Sequence, residues 1–379
     1  MTAAILSAIA YVVLTVAIHL SSIAIATARC PAPRKPARAP VVAPPISLVR
    51  PVCGIDNFAL ATLGSSFGLD YPDYEIIFCV AHARDPVVPV IRQLIAAHPA
   101  QRAALLIGDD RISENPKLNN CVKGWNAAVH DWIVLADSNV LMPPDYLTRL
   151  MARWDAATGL VCSPPAGSHP QGFWAFVECA ILNTYQARWQ YTADAIGVGF
   201  AQGKTMLWRR DILERAGGIR QLGRELAEDA AATKLIRSQG LNVRLVNAPF
   251  PQPLGKRSAM EVWRRQARWA QLRRSSFPLA YASEIFSGAF WPLATMAFVA
   301  YELGLPVAAG VVVLAAVWYG AEMLLAWRAA WPLSIAYPIH AMTRDIMLPA
   351  FWLGGWLGSE FVWRGNPMRS VTPDQATQS

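Results

Sequence analysis

Charge is the scarcest ingredient of this sequence. Only 16% of its 379 residues are Asp, Glu, Lys or Arg, against about 25% in ordinary soluble domains. Cysteine is sparse as well: Cys30, Cys53, Cys79, Cys121, Cys162 and Cys179 form no CxxC pair. That spacing argues against a disulfide framework or a zinc site and fits a reducing compartment. The chain has no GxGxxG and no GxxxxGK[ST] loop, so a dinucleotide or ATP-type phosphate loop is not expected. No internal repeat is visible. What the chain does have is a hydrophobic fraction of 54% and 15 tryptophans, which point toward a membrane. Its 34 basic residues exceed its 26 acidic ones by eight. The excess lies near the apolar segments, which suggests lipid head groups and phosphates as partners, not nucleic acid.

Ala3 to Ala26 carries no formal charge and is long enough to cross a bilayer. A cleaved signal peptide fits less well, because no basic stretch precedes it and "ATARC" is a poor cleavage site. The expectation is a retained anchor over residues 1–27. "RCPAPRKPARAP" follows, with Arg29, Arg34, Lys35 and Arg38. These basic residues place the next domain in the cytosol, and the prolines predict a stiff linker over 28–45. Cys30 at this edge reads as a buried or idle thiol more readily than as an acylation site. Toward the other end, Ile285–Tyr301 and Leu305–Trp327 read as two spans joined by a short turn. Ser334–Gly358 is a third apolar segment, but it contains adjacent Arg344 and Asp345. Such a pair faces protein, water or the interface, so the segment is a span or a re-entrant or interfacial stretch. Two to three carboxyl-terminal transmembrane helices are expected within 284–361, then a polar tail over 362–379.

Between these ends, short apolar runs alternate with amphipathic stretches. "ISLVRPV", "EIIFCV", "ALLIG", "WIVLAD" and "GLVCSP" predict buried strands. "DPVVPVIRQLIAAH", "NNCVKGWNAAV" and "PDYLTRLMARW" have helical spacing. The alternation predicts an α/β domain over 46–258 with a mostly parallel sheet, and ligands then sit outside the carboxyl ends of the strands. Asp56 ends one strand region, Asp137, Ser138 and Asn139 end another, and a turn falls at Gly203 and Lys204. An aspartate leaving a strand into a DxS turn suits a hard divalent ion held against a diphosphate. Equally, Asp56 and Asp137 could be turn or helix caps. Glu228 and Asp229 stand side by side, and a helix dipole alone would explain such a pair. Residues 259–283 read as a basic interfacial helix, and its "RQARW" also suits clamping a diphosphate.

Together these pieces resemble the ceramide glucosyltransferase family, membrane-bound GT-A glycosyltransferases that use a UDP-sugar and are marked by three aspartates and an (R/Q)xxRW motif. Asp56, Asp137 and Asp229 look like the three aspartates, and Arg265, Arg268 and Trp269 of "RQARW" follow them. "GLDYPDYEIIFCV", "NPKLNN" and "GLVCSPP" match the family's connecting segments. The resemblance implies a Rossmann-like GT-A domain and an inverting transfer of a hexose, glucose by default, to a primary hydroxyl of a membrane lipid, ceramide first. It implies Asp229 as catalytic base, with Asp137 serving the diphosphate and a divalent metal, Mg2+ or Mn2+. Asp56, Lys117, Asn119 and Asn139 would bind the nucleotide sugar. Arg265 and Arg268 would steady the leaving diphosphate, Trp269 would wall the acceptor site, and Glu228 would hold a sugar hydroxyl or shape the turn.

Three positions depart from the family pattern. Arg84 precedes Asp85 where a second carboxylate is usual, Gln186 replaces a family histidine, and Asn139 takes a position that is often glycine. Acceptor choice is therefore the open point, with hopanoid polyols and diacylglycerol beside ceramide, and UDP-galactose or UDP-N-acetylglucosamine beside UDP-glucose. The rivals are a processive polysaccharide synthase, which needs more spans, and a non-catalytic membrane scaffold that binds a sugar nucleotide. Topology and compact loops suit a multi-pass protein of a bacterial inner membrane, its catalytic domain facing the cytosol.

Overall fold

The computed structural model describes residues 2–31 and 43–358, with the backbone of Glu360–Trp363 and Asn366–Arg369. Residues 32–42 of the expected linker, with Arg34, Lys35 and Arg38, and most of the expected polar tail lie outside the described residues.

The five apolar runs become β1 (Ile46–Val52), β2 (Tyr74–Val80), β3 (Ala103–Ile107), β4 (Trp132–Ala136) and β5 (Thr158–Cys162). Four more strands follow in this domain: β6 (Ala166–Gln171), β7 (Thr205–Arg209), β8 (Asn242–Leu245) and β9 (Pro251–Lys256). The main sheet has seven strands in the order β3-β2-β1-β4-β7-β5-β8. β1 to β4 pair in parallel, as do β5 and β8, while β7 runs antiparallel between β4 and β5. The fold is thus an α/β GT-A type with a mostly parallel sheet. β6 and β9 form a separate parallel pair. Every residue of β1 and β2 is buried, as expected of central strands covered on both faces. Leu48 and Val52 pack with Leu63, Ile91 and Tyr146 on one face, and Val49 packs with Leu118 and Trp125 on the other.

That second core reaches Ile23, Ala26 and Cys30, all at or near the end of the first helix, Ala3–Arg29. Cys30 is fully buried. The first helix is therefore seated on the α/β domain and not tethered at a distance. Among the described residues, two helices are long and apolar enough to cross a membrane, Ala3–Arg29 and Val307–Arg328. The expected span Ile285–Tyr301 differs from its reading: after a one-turn 3-10 segment at Glu284–Phe286, only Phe290–Glu302 is α-helical. Those 13 residues extend about 20 Å, short of a hydrocarbon core of about 30 Å. The last helix, Tyr337–Leu357, packs on Ala259–Ser276, on Phe173–Cys179 of the α/β domain and on Val307–Arg328. Arg344 and Asp345 face protein. Arg344 pairs with Glu322 at 2.9 Å and with Asp345 at 2.9 Å, and Tyr319 donates to Asp345 at 3.1 Å.

Candidate active site

A cavity of about 2230 Å3 opens at the carboxyl ends of β1, β2 and β4. Strand register builds its centre. Ala136 of β4 stands opposite Thr205 of β7, so Asp137 and Lys204, one residue further out on each strand, meet. The Asp137 N–H donates to the Lys204 carbonyl at 3.0 Å, and Lys204 Nζ reaches Asp137 Oδ2 at 2.7 Å. A third element, the helix Pro116–Ala127, delivers Lys117. Asn115 caps that helix by accepting from the Lys117 and Leu118 N–H groups, and Pro116 fills a first-turn position where no N–H is needed. Lys117 Nζ lies 2.6 Å from Asp137 Oδ1 and 2.6 Å from Glu228 Oε1, and it also donates to the Gly203 carbonyl. Glu228 is buried, and its other oxygen accepts from Asn115 Nδ2 at 2.7 Å. Gly203 must be small: a Cβ there would stand 2.6 Å from Glu228 Oε1 and 3.0 Å from Lys117 Nζ.

These contacts set the protonation states. Burial favours neutral Asp137, but the ammonium groups of Lys117 and Lys204 outweigh it and hold the carboxyl well below its usual range. Burial likewise opposes a charged Lys117, yet Asp137 and Glu228 raise its pKa. Lys204 shares Asp137 with Lys117 and is repelled by Arg265, so burial prevails and its pKa falls. Asp229 is different. It begins the helix Glu228–Ser238, where Oδ2 accepts the Gly203 N–H at 3.1 Å and Oδ1 the Ala230 N–H at 2.9 Å. Burial and the neighbouring charge of Glu228 push its carboxyl up to about 6, against the pull of Lys117 and the two N–H groups. Such a group is ionised at neutral pH and still basic enough to accept a proton.

The opposite wall is the helix Ala259–Ser276, begun by a capping box between Ser258 and Glu261. Three- and four-residue spacing puts Arg265, Arg268 and Trp269 on one face, and all three line the cavity. Arg265 Nη1 lies 2.5 Å from Oε1 of buried Glu178, and its guanidinium stands 5.4 Å over the Trp269 ring. Burial opposes its charge, but Glu178 more than offsets this, helped by Asp56 and Asp137, and the pKa is raised. Gln186 sits on a π-helical stretch, Ala180–Ala187, between two α-helices, and donates to Gln266 at 3.1 Å. Such stretches often mark functional sites.

Of the eleven residues expected at the site, ten line this one cavity: Lys117, Asn119, Asp137, Asn139, Gln186, Glu228, Asp229, Arg265, Arg268 and Trp269. Asn119 does so as a loop organiser, its carbonyl accepting from the Ile112 and Ser113 N–H groups at 3.1 Å each. Asp56 is outside the lining set, on the turn after β1. The carboxylate that lines the cavity there is Asp85, whose oxygens accept the Gly54 N–H at 3.1 and 3.0 Å. Sequence reading noticed its neighbour Arg84 instead. It also missed Arg50, a fully buried arginine whose guanidinium holds the carbonyls of Asp137, Ser138 and Val140 at 2.8, 3.0 and 3.1 Å. An arginine inside the apolar run "ISLVRPV" was the available signal.

A metal ion at Asp137 would find few ligands. Both oxygens of that carboxylate already face ammonium groups. Among the described residues, no group of three or more His, Cys, Asp or Glu is placed to hold a metal. The donor set does not fit a Mg2+ or Mn2+ ion held by protein side chains, which wants several oxygen ligands. The cavity's far end is apolar, formed by Tyr11, Leu14, Thr15 and Ile18 of the first helix with Ala280, Tyr281 and Phe286.

The fold is shared with a solved glycosyltransferase. The mannosyltransferase from Pyrobaculum calidifontis, solved in complex with GDP-Man and Mn2+, matches with a TM-score of 0.51 at 20% identity, over 92% of this chain and 97% of that one. The chain belongs to glycosyl transferase family 21, whose model matches residues 13–375. Ceramide glucosyltransferase 1 of Caenorhabditis elegans is 28% identical over 239 residues, covering 62% of this chain and 51% of that protein. The ceramide glucosyltransferase of Komagataella phaffii is 39% identical over 108 residues, 27% of this chain and 21% of that one. The chain spans about half the length of the Caenorhabditis relatives it matches. The expected ceramide glucosyltransferase family resemblance therefore holds.

Proposed function

We propose that this chain is an inverting hexosyltransferase that moves glucose from UDP-glucose to the primary hydroxyl of a membrane lipid, ceramide first among them. The observation that carries this reading is the single cavity, which is lined by Asp137, Lys117 and Asp85 at one end and by Tyr11, Leu14, Ile18 and Phe286 at the other. A charged nucleotide sugar suits the first end and an acyl chain the second. The first helix and Val307–Arg328 then cross a bacterial inner membrane, with the α/β domain on the cytosolic side, and the lipid enters sideways from the inner leaflet.

In the transfer, the acceptor oxygen forms a bond to the anomeric carbon as the bond from that carbon to the β-phosphate oxygen breaks. Asp229 takes the hydroxyl proton. The electron pair of the broken bond stays on UDP, where Arg268 and the Lys117–Lys204 pair face the growing negative charge. Asp85 and the loop built on Asn119 flank the nucleotide. Glu228, tied to Lys117 and Asn115, fixes the ammonium that Asp137 shares. Trp269 walls the acceptor side. No step is routed through a divalent cation, because the residues around Asp137 do not supply its ligands.

The test is a lipid extract from cells that make this chain and are supplied with ceramide, analysed by mass spectrometry beside the Asp229→Asn variant. A hexosylceramide found only with the intact chain is the expected result. A hexose on diacylglycerol or a hopanoid would keep the reaction and replace the acceptor. UDP-sugar binding without any new glycolipid would favour the scaffold.

A further inference from the structure

We propose that Lys204 is the standing cation of this site: its ammonium takes the place of a divalent ion at the diphosphate. The inference rests on the nucleotide-diphosphate reading above and goes beyond it. Three observations carry it. First, the turn after β4 reads Asp137-Ser138-Asn139, with one carboxylate only, and Lys204 Nζ bridges two of its three oxygen-bearing side chains, 2.7 Å from Asp137 Oδ2 and 3.4 Å from Asn139 Oδ1. The ammonium thus already fills the space between those two side-chain oxygens. Second, Lys117 holds the other oxygen of Asp137 at 2.6 Å, so each oxygen of the carboxylate already faces an ammonium and a metal would have to share it with one. Third, Lys204 lines the cavity.

An ammonium has three N–H donors and no acceptor. Two of them go to Asp137 and Asn139, which leaves one for a phosphate oxygen. Asp137 thereby changes role, from metal ligand to the anchor that orients a lysine. The placement is a consequence of strand pairing. β7 is antiparallel to β4, and that register sets Lys204 beside Asp137 as firmly as a ligand set would. The balance of the transfer is unaltered, since Lys204 neither gains nor loses a proton and only faces the charge left on UDP. A lysine also differs from a metal in one useful respect. It cannot be removed by chelation.

The experiment uses the full chain in lipid nanodiscs, with UDP as probe. Isothermal titration gives its Kd in excess EDTA and in Mn2+, and electron paramagnetic resonance reports protein-bound Mn2+ independently of turnover. Expected for the intact chain is a Kd in EDTA within about threefold of that in Mn2+, with no bound Mn2+ signal. Lys204→Met should weaken UDP binding in EDTA by about 10- to 100-fold, the loss of one charged hydrogen bond, and Mn2+ should restore it as the vacated turn accepts the ion. Lys204→Arg, which keeps the charge, should retain binding in EDTA. An intact chain that loses UDP in EDTA and regains it with Mn2+, or a Lys204→Met variant unchanged in EDTA, would overturn the proposal. Folded protein that binds UDP in no arm would overturn the nucleotide reading itself, and the proposal with it.

Discussion

The two ends of the cavity are built on opposite plans. At the nucleotide end three central charges are already answered: Asp137 by two lysines, Glu228 by Lys117 and Asn115, and Arg265 by Glu178. At the membrane end, Leu14, Ile18 and Phe286 are exposed side chains without cover. The first plan fixes a small polar ligand in one pose, because buried charges that are fully paired are rigid. The second suits a long apolar ligand that arrives from a bilayer and needs no unique register. One cavity thus holds a preorganised site and a compliant groove, and the proposed transfer falls at their junction, where Asp229 stands beside Gly203.

The contrast can be broken from either side. The largest effect is expected from Asp229→Asn, which should lower kcat by roughly 10^3-fold, within the range for a general base, while isothermal titration finds the UDP Kd unchanged. Gly203→Ala comes next. Its methyl collides with the Lys117–Glu228 contact, and displacing those groups should cost about 10- to 100-fold in kcat at unchanged lipid KM. At the other end, Ile18→Trp narrows the groove, and about a tenfold rise in KM for long-chain acceptors is expected, smaller for short-chain ones, with UDP affinity intact. Stability should divide in the same way. Lys117→Met leaves two carboxylates without their shared partner and should destabilise by about 3 kcal/mol, seen as a lower melting temperature, whereas Leu14→Ala on the open groove should change little. The gentlest test is pH. As the proposed base, Asp229 must be ionised to accept a proton, and its pKa is raised to about 6. Rate should therefore be half-maximal near pH 6, level out about one unit above it and approach about a tenfold fall per unit well below it.

Much of this was legible from residues alone, and the gaps have physical causes. β1 to β5 were readable because strands buried on both faces are continuous apolar runs. β6 and β9, "AGSHPQ" and "PQPLGK", contain Pro and Gly and carry no such pattern. β7 lies in "TMLWR", an apolar run whose antiparallel direction no local signal encodes. That missing direction hid the partner of Lys204, read only as a turn residue, since the β4–β7 register is what brings it to Asp137. The π-helical stretch around Gln186 was equally invisible, being a change of hydrogen-bond register rather than of composition. The apolar segment Ile285–Tyr301 looked long enough to span because composition does not reveal the break before Phe290. Asp85 was passed over because its partner, the Gly54 N–H, lies 31 residues away. By contrast, the Glu228–Asp229 pair and the "RQARW" helix were legible, since their spacing is local.

The most direct measurement of the central claim is photolabelling of the chain in nanodiscs with a ceramide carrying a diazirine in its acyl chain, followed by mass-spectrometric mapping. Labels on Leu14, Ile18 and Phe286 that diminish in Ile18→Trp are the predicted result. Labels confined to outer faces such as Val312 and Ile346, unchanged by that substitution, would contradict a lipid-fed cavity.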